Sequence, residues 1–261
     1  MTAAATTFPQ IATLGRRAVV RTARQPANVV FPLVFPMLLL AVNAGGLKAA
    51  TNLPGFPTNS FLAFALAVPF IQGALLATIN ANVEFARDIQ TGFLNRLALT
   101  PVRGLVLLVG QLGGLLTIAL VQAVFYLAVG TAFGVRLASG IGGAFMLLVL
   151  ETVIALGFAA VGSWAALRTG STEAVQGLFP VFFVFLFMSS MNMPRNLIQA
   201  DWFRWIATVN PVSYLIEAVR SLVIQGWNWE ALGLGFAAAG ALSLVGFALA
   251  THALWRRLER T

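Results

Sequence analysis

Glu151 is the one acidic residue well inside an apolar run of this sequence. A carboxyl group in hydrocarbon is costly, so such a residue marks a functional position by default. It could carry a proton, bind a cationic solute, or stand as a structural carboxyl held by polar neighbours. Gln72, Asn80, Asn82, Gln111 and Gln122 lie in or near apolar runs and could serve as those neighbours. Other chemistries are excluded by what the chain lacks. There is no cysteine and a single histidine, His252, which removes Cys-ligated metal sites and leaves little for His-based metal or nucleophile chemistry. The only lysine, Lys48, follows Leu47, so no G-x-x-x-x-G-K-[ST] phosphate loop exists. The chain is not its own nucleotide motor, and it holds no cofactor.

A second stretch with chemical character is FARDIQTGFLNRLALTPVRG, residues 85–104. Glu84, Arg87 and Asp88 are one helical turn apart. Gly92 allows a bend. Phe93, Leu94 and Leu97 can form the apolar side of a short helix, with Asn95 and Arg96 opposite. Pro101 disfavours helix at Thr100 and ends it. The product is a small knob with apolar anchors and a charged rim, suited to dock into a partner's groove.

These residues must be positioned by membrane helices. Of the 261 residues, 59% are hydrophobic and 9% charged, against about 25% charged in an ordinary soluble domain. Such a chain cannot cover a soluble globule. Apolar runs long enough to cross a bilayer fall at 28–47, 61–83, 105–134, 142–167, 175–192 and 231–254. The fold class is therefore all-α and integral to the membrane, with about six transmembrane helices in one domain. Residues 1–27 form a cytoplasmic segment, 28–254 the membrane domain and 255–261 a cytoplasmic tail. The net charge of +8 does not indicate nucleic acid, because the basic residues flank apolar runs instead of forming one patch.

The short-loop arginine bias sets orientation. With the N-terminus inside, Arg16, Arg17, Arg21, Arg24, Arg87, Arg96, Arg103, Arg168, Arg256, Arg257 and Arg260 are cytoplasmic. Lys48, Arg136, Arg195, Arg204 and Arg220 are external. Both termini are then cytoplasmic, and the knob joins spans two and three on that side. Residues from Gln10 to Arg24 place Ile11, Leu14, Ala18 and Val19 at helical spacing beside arginines, which suits an interfacial helix on anionic lipid. The basic stretch is retained, with no small-residue cleavage site of a signal peptide.

Several residues point to packing. Pro32 and Pro36 should kink the first span. Small residues crowd the sixth and permit close helix approach. Before it, Asn210 can cap a helix with Pro211 at its first position. Leu215, Val219, Leu222 and Val223 then share one face, and Glu217, Arg220 and Ser221 another. With Trp202, Trp205, Trp227 and Trp229 as interfacial aromatics, this region reads as short external re-entrant helices.

At this point the sequence resembles a known family, the ABC transporter type-2 permeases, in particular the daunorubicin-resistance and lipo-oligosaccharide exporter branch. The family pattern Gly-x-x-Glu-Arg-Leu-x-x-Thr-Pro is matched by Gly92, Arg96, Leu97, Thr100 and Pro101, with Asn95 where the family carries an acid. The family's Asn-Pro stretch with a later Arg is matched by Asn210, Pro211 and Arg220. The resemblance covers nearly the whole chain. It implies two permease subunits, identical or paralogous, with two copies of a separate cytoplasmic ATPase that binds Mg-ATP. The knob would be the coupling helix, with Arg87 and Asp88 beside it. It also implies a substrate path near spans two and five, where this chain offers Phe70, Gln72, Asn80, Phe179, Phe182, Phe183, Phe187 and Met188. Aromatic and Met side chains suit bulky apolar cargo. The expected function is export of a hydrophobic drug or lipid-like molecule across the plasma membrane. Two alternatives stand beside it: export of a lipid-linked glycan, and proton-coupled secondary transport centred on Glu151, against which no inverted repeat is visible.

Overall fold

The computed structural model describes residues 26–92 and 104–258, with Arg16, Val20 and Arg24 besides. The amphipathic N-terminal segment and the knob, including Phe93, Leu94, Asn95, Arg96, Leu97, Thr100 and Pro101, lie outside the described residues. The described chain is helical and contains no strand.

Helix α1 spans Pro26–Gly46. After a 3-10 turn come α2, Phe61–Ala65, and α3, Ala67–Gln90, nearly continuous with it. Ser60 starts α2 by accepting the Ala63 amide at 3.3 Å. Pro69 then withholds a donor from the Ala65 carbonyl, which accounts for the break at Leu66. Helix α4 is Gly104–Ala132 and α5 is Gly140–Thr169. Their hairpin opens with a Schellman stop. Gly134 takes φ 89°, its amide bonds the Thr131 carbonyl, and the Val135 amide bonds that of Gly130. Helices α6, Thr172–Gln176, and α7, Leu178–Phe187, follow. Then come α8, Asp201–Val209, α9, Pro211–Arg220, a π turn at Ser221–Gln225, and α10, Trp229–Leu258.

Five of these stretches are long and apolar enough to cross a bilayer: Val29–Gly46, Phe61–Gln90, Leu112–Ala132, Gly140–Thr169 and Trp229–Arg257. The fifth expected span, 175–192, is shorter than its sequence suggests, so the described residues hold five long spans and one shorter apolar helix. That helix runs Thr172–Phe187, about 24 Å at about 1.5 Å per residue, short of a hydrocarbon core of roughly 30 Å. The chain leaves helical geometry after Phe187 because polar side chains of α9 take up its carbonyls, as shown below. The second span is also longer than expected, running past residue 83 to Gln90.

The Phe61–Gln90 stretch is the hub, with 94% of its most apolar window buried. It touches α1, α4, α5, α6 and α9. The most extensive helix pair is α5 with α10, and small residues make it. A Cβ on Gly246 would lie 2.7 Å from the Ala160 Cβ and 3.0 Å from the Val161 amide nitrogen. Ser243 Oγ donates to the Ala239 carbonyl at 2.8 Å and to that of Val153 across the interface at 3.3 Å. The small-residue face of the last span is thus used inside the chain.

Candidate functional site

The end of the hub carries the first candidate residues. Helix α3 continues through Glu84, Arg87 and Asp88, and Arg87 Nη1 donates to Glu84 Oε1 at 2.9 Å. Asp88 is buried. Gly92 takes φ 69°, so the chain turns there as its sequence suggests. Beneath this point Phe85, Ile89, Leu167, Val175 and Leu254 form a separate apolar cluster. It ties the ends of α3, α5 and α10 to α6. Arg257 Nη1 donates to the Leu167 carbonyl at 2.8 Å, satisfying one of the acceptors that a helix end leaves open. The segment after Gly92 therefore starts from a braced platform.

One turn deeper, Asn82 locks α3 to α5. Its Nδ2 donates to the carbonyls of Thr78 at 2.9 Å and Ala159 at 3.3 Å, and its Oδ1 accepts from Ser163 Oγ at 2.9 Å. A Cβ at Gly162 would overlap the Asn82 amide. Asn82 is thus committed elsewhere and does not serve Glu151. Asn80 sits half-buried on another face of α3.

Tyr126 of α4 occupies the middle of the bundle. Pro36 has no N–H, so the Pro32 carbonyl has no donor four residues on. The Tyr126 hydroxyl donates to that carbonyl. The phenol reaches it across α3 at Gly73, where a Cβ would lie 2.6 Å from the hydroxyl. Phe70 closes the site edge-on, its ring centroid 5.6 Å from that of Tyr126. Phe70 and Gln72 are fully enclosed within the subunit.

Glu151 is likewise completely buried, and neither carboxyl oxygen has a hydrogen-bond partner. Gln122 is in the same state, with both amide atoms unpartnered. Counted back from the turn between α4 and α5, both residues sit about 15–17 Å down their helices, at one level of the hairpin. Of the polar residues weighed as partners for Glu151, Gln72, Asn80, Asn82 and Gln122 are not hydrogen-bonded to it, and the Gln111 side chain lies outside the described residues.

The aromatic side chains of α7 divide between two sets of contacts. Phe179, Phe183 and Phe187 form a ladder along one side, with centroids 4.5 and 5.7 Å apart. Phe187 is exposed and Met188 half-buried. Phe182 turns inward onto Phe158, 5.2 Å away.

The stretch after α7 is organised by α9. Asn210 Oδ1 accepts the Val212 amide at 2.9 Å, with Pro211 following it at the helix start. The same side chain donates from Nδ2 to the carbonyls of Phe185 at 2.6 Å and Met188 at 3.0 Å. Ser213 Oγ accepts the Ser190 amide at 3.1 Å. Arg220 completes the set. Its Nη1, Nη2 and Nε donate to the carbonyls of Ser190, Met191 and Phe64 at 3.0, 2.9 and 3.1 Å. Its guanidinium also lies 3.6 Å from the Phe64 ring centroid. Arg220 was expected on the polar face of its helix with Glu217; it is instead 5% exposed. The reason is accounting: irregular buried backbone must find donors, and a guanidinium supplies five in a fixed fork. Burial pulls the Arg220 pKa down to about 9, with Glu217 pulling the other way, so the group keeps its proton at neutral pH. Glu217 itself pairs with Arg195 through Nε at 2.8 Å and Nη2 at 2.5 Å. Burial works against the Arg195 charge, but this bidentate pairing outweighs it and raises the pKa.

Comparison with known proteins fits this frame. The family model for the ABC-2 type transporter matches residues 9–224. The chain belongs to that family. Members are transmembrane subunits of ABC transporters that work with a cytoplasmic ATPase subunit, generally as dimers. The chain is 26% identical over 212 residues to the probable doxorubicin resistance ABC transporter permease protein DrrC of Mycobacterium tuberculosis (strain H37Rv), covering 80% of this chain and 75% of that one. It is 28% identical over 227 residues to the putative transport permease ycf38 of Pyropia yezoensis, covering 84% and 76%. This ABC-2 chain is therefore a multi-pass transmembrane permease subunit.

Sequence reasoning overlooked Tyr126 and Ser163. A signal for the first existed. Two prolines four residues apart leave a carbonyl without its helical donor, and one of the chain's two tyrosines lies in a span. Nothing local pointed to Ser163.

Proposed function

We propose that this permease forms, with a second copy or a paralogue and two ATPase subunits, an exporter that moves a hydrophobic drug or lipid-like molecule out of the cytoplasm or inner leaflet. Both termini and the Gly92 end of the bundle face the cytoplasm of a cell bounded by this plasma membrane. Residues Phe93 to Pro101 dock on the ATPase, with Arg87 and Asp88 at the rim. The observation that carries this reading is the platform beneath Gly92. A push on the loop between α3 and α4 would be delivered to four helices that share one apolar cluster. The Phe179, Phe183 and Phe187 ladder is the proposed cargo-facing surface. Its apolar and adaptable character favours drug-like or lipid-like cargo over a glycan.

The test is purification from native membranes in mild detergent. An ATPase subunit should co-purify at about one copy per permease, and Arg96→Glu with Leu97→Asp should release it. A permease that comes out alone and moves cargo on a proton gradient would overturn the reading and return attention to Glu151.

A further inference from the structure

A cavity of about 460 Å³ opens at the end of the bundle opposite Gly92. Its wall includes Phe64, Arg195, Asn196, Glu217, Arg220 and Gln225. The first turn of α10 also borders it, with Asn228 accepting the Ala231 amide at 3.0 Å.

The charges in this wall do not cancel. Arg195 and Glu217 neutralise each other through their bidentate pair. Arg220 is held only by neutral carbonyls, with three of its five N–H groups used. The cavity therefore carries a net charge of about +1, in a wall that is largely desolvated around Arg220. Asn196 is exposed at its rim, and the Asn228 amide donates to Gln225 there at 3.2 Å.

The depth of the cavity narrows the ligand further. Trp227 and Trp229 stack 5.3 Å apart beside Asn228, and both are exposed. Trp202 and Trp205 are exposed on α8. Exposed tryptophans of a membrane protein gather at the level of lipid headgroups. An occupant at this depth can keep its tails in the adjacent leaflet while its headgroup enters a polar, positively charged recess.

We propose that this recess binds one singly charged oxyanion group, a phosphodiester or phosphate, presented by an anionic amphiphile. The Arg220 clamp supplies the charge, and the Asn196 and Gln225 amides supply orientation. The site is independent of which cargo the transporter moves.

Native mass spectrometry of the full chain in a neutral detergent tests this. The probes are phosphatidylglycerol, phosphatidylcholine and inorganic phosphate. Phosphatidylglycerol should be retained one per permease, at least about fivefold more than phosphatidylcholine at equal concentration. Asn196→Asp and, separately, Gln225→Glu add a negative charge to the wall without disturbing the Arg220 clamp. Each should reduce that preference to near parity, with the protein's thermal melting unchanged. Displacement of the lipid by millimolar inorganic phosphate supports a site that recognises the free anion. Retention against phosphate supports recognition of the lipid headgroup. Equal retention of both lipids in the unaltered protein overturns the proposal, as does an undiminished preference in both variants.

Discussion

The Tyr126 hydroxyl donates to the Pro32 carbonyl, the acceptor that Pro36 leaves without its helical donor. The carbonyl that a proline of the first span leaves unpaired thus finds its donor in the third, 94 residues further along the chain. Gly73 provides the passage between them. A membrane interior offers no water to such a carbonyl, so the partner must come from the protein.

Tyr126→Phe should therefore destabilise the bundle by about 1–3 kcal/mol, the cost of an unsatisfied buried acceptor. Pro36→Ala restores a backbone donor to the same carbonyl. In the double variant most of the Tyr126→Phe loss should disappear. Thermal unfolding of the four proteins in detergent, read as a double-mutant cycle, measures this. Additive losses would show that the tyrosine acts through packing alone.

The α5–α10 contact predicts a contrast between two glycines on one helix. At Gly246 an added Cβ meets the Ala160 side chain and the Val161 backbone, so Gly246→Ala should cost about 1–3 kcal/mol. At Gly240 nothing lies within 4 Å. Gly240→Ala should be neutral, or stabilising by up to about 1 kcal/mol through helix propensity. Parallel melting curves decide it.

Arg220 holds three backbone carbonyls from two parts of the chain. Arg220→Met should leave them unpaired and lower the yield of folded permease sharply, with a loss of about 1–3 kcal/mol for each carbonyl left without a donor. Arg220→Lys should recover only part, because an ammonium lacks the planar fork. Fluorescence size-exclusion profiles and melting of the surviving fraction give the readout.

The sequence disclosed the long helices well, because their ends are punctuated by Gly and Pro and because a bilayer fixes their length. Gly134 and Gly170 stop α4 and α5 with positive φ, close to the expected span ends at 134 and 167. Asn210 followed by Pro211 announced a capped helix, and the cap is present. The end of α7 was not legible. Its residues stay apolar through Met188, past the last helical residue, and the donors that α9 brings from about 25 residues away decide where the chain turns. Arg220 illustrates the same limit. Its place on a helical wheel says polar, while its partners lie in segments that a wheel does not contain. The phenylalanines of α7 were named through the family resemblance alone, and the inward turn of Phe182 depends on Phe158 in another helix.

Transmission of ATPase work through the loop after Gly92 is the central claim. The most direct measurement is cargo-stimulated ATP hydrolysis by the assembled transporter in proteoliposomes, with and without Leu94→Asp and Leu97→Asp together. The double variant should insert and fold normally but lose at least about tenfold of the stimulated rate, with basal hydrolysis by the ATPase subunits intact. Full stimulation in the double variant would contradict the account.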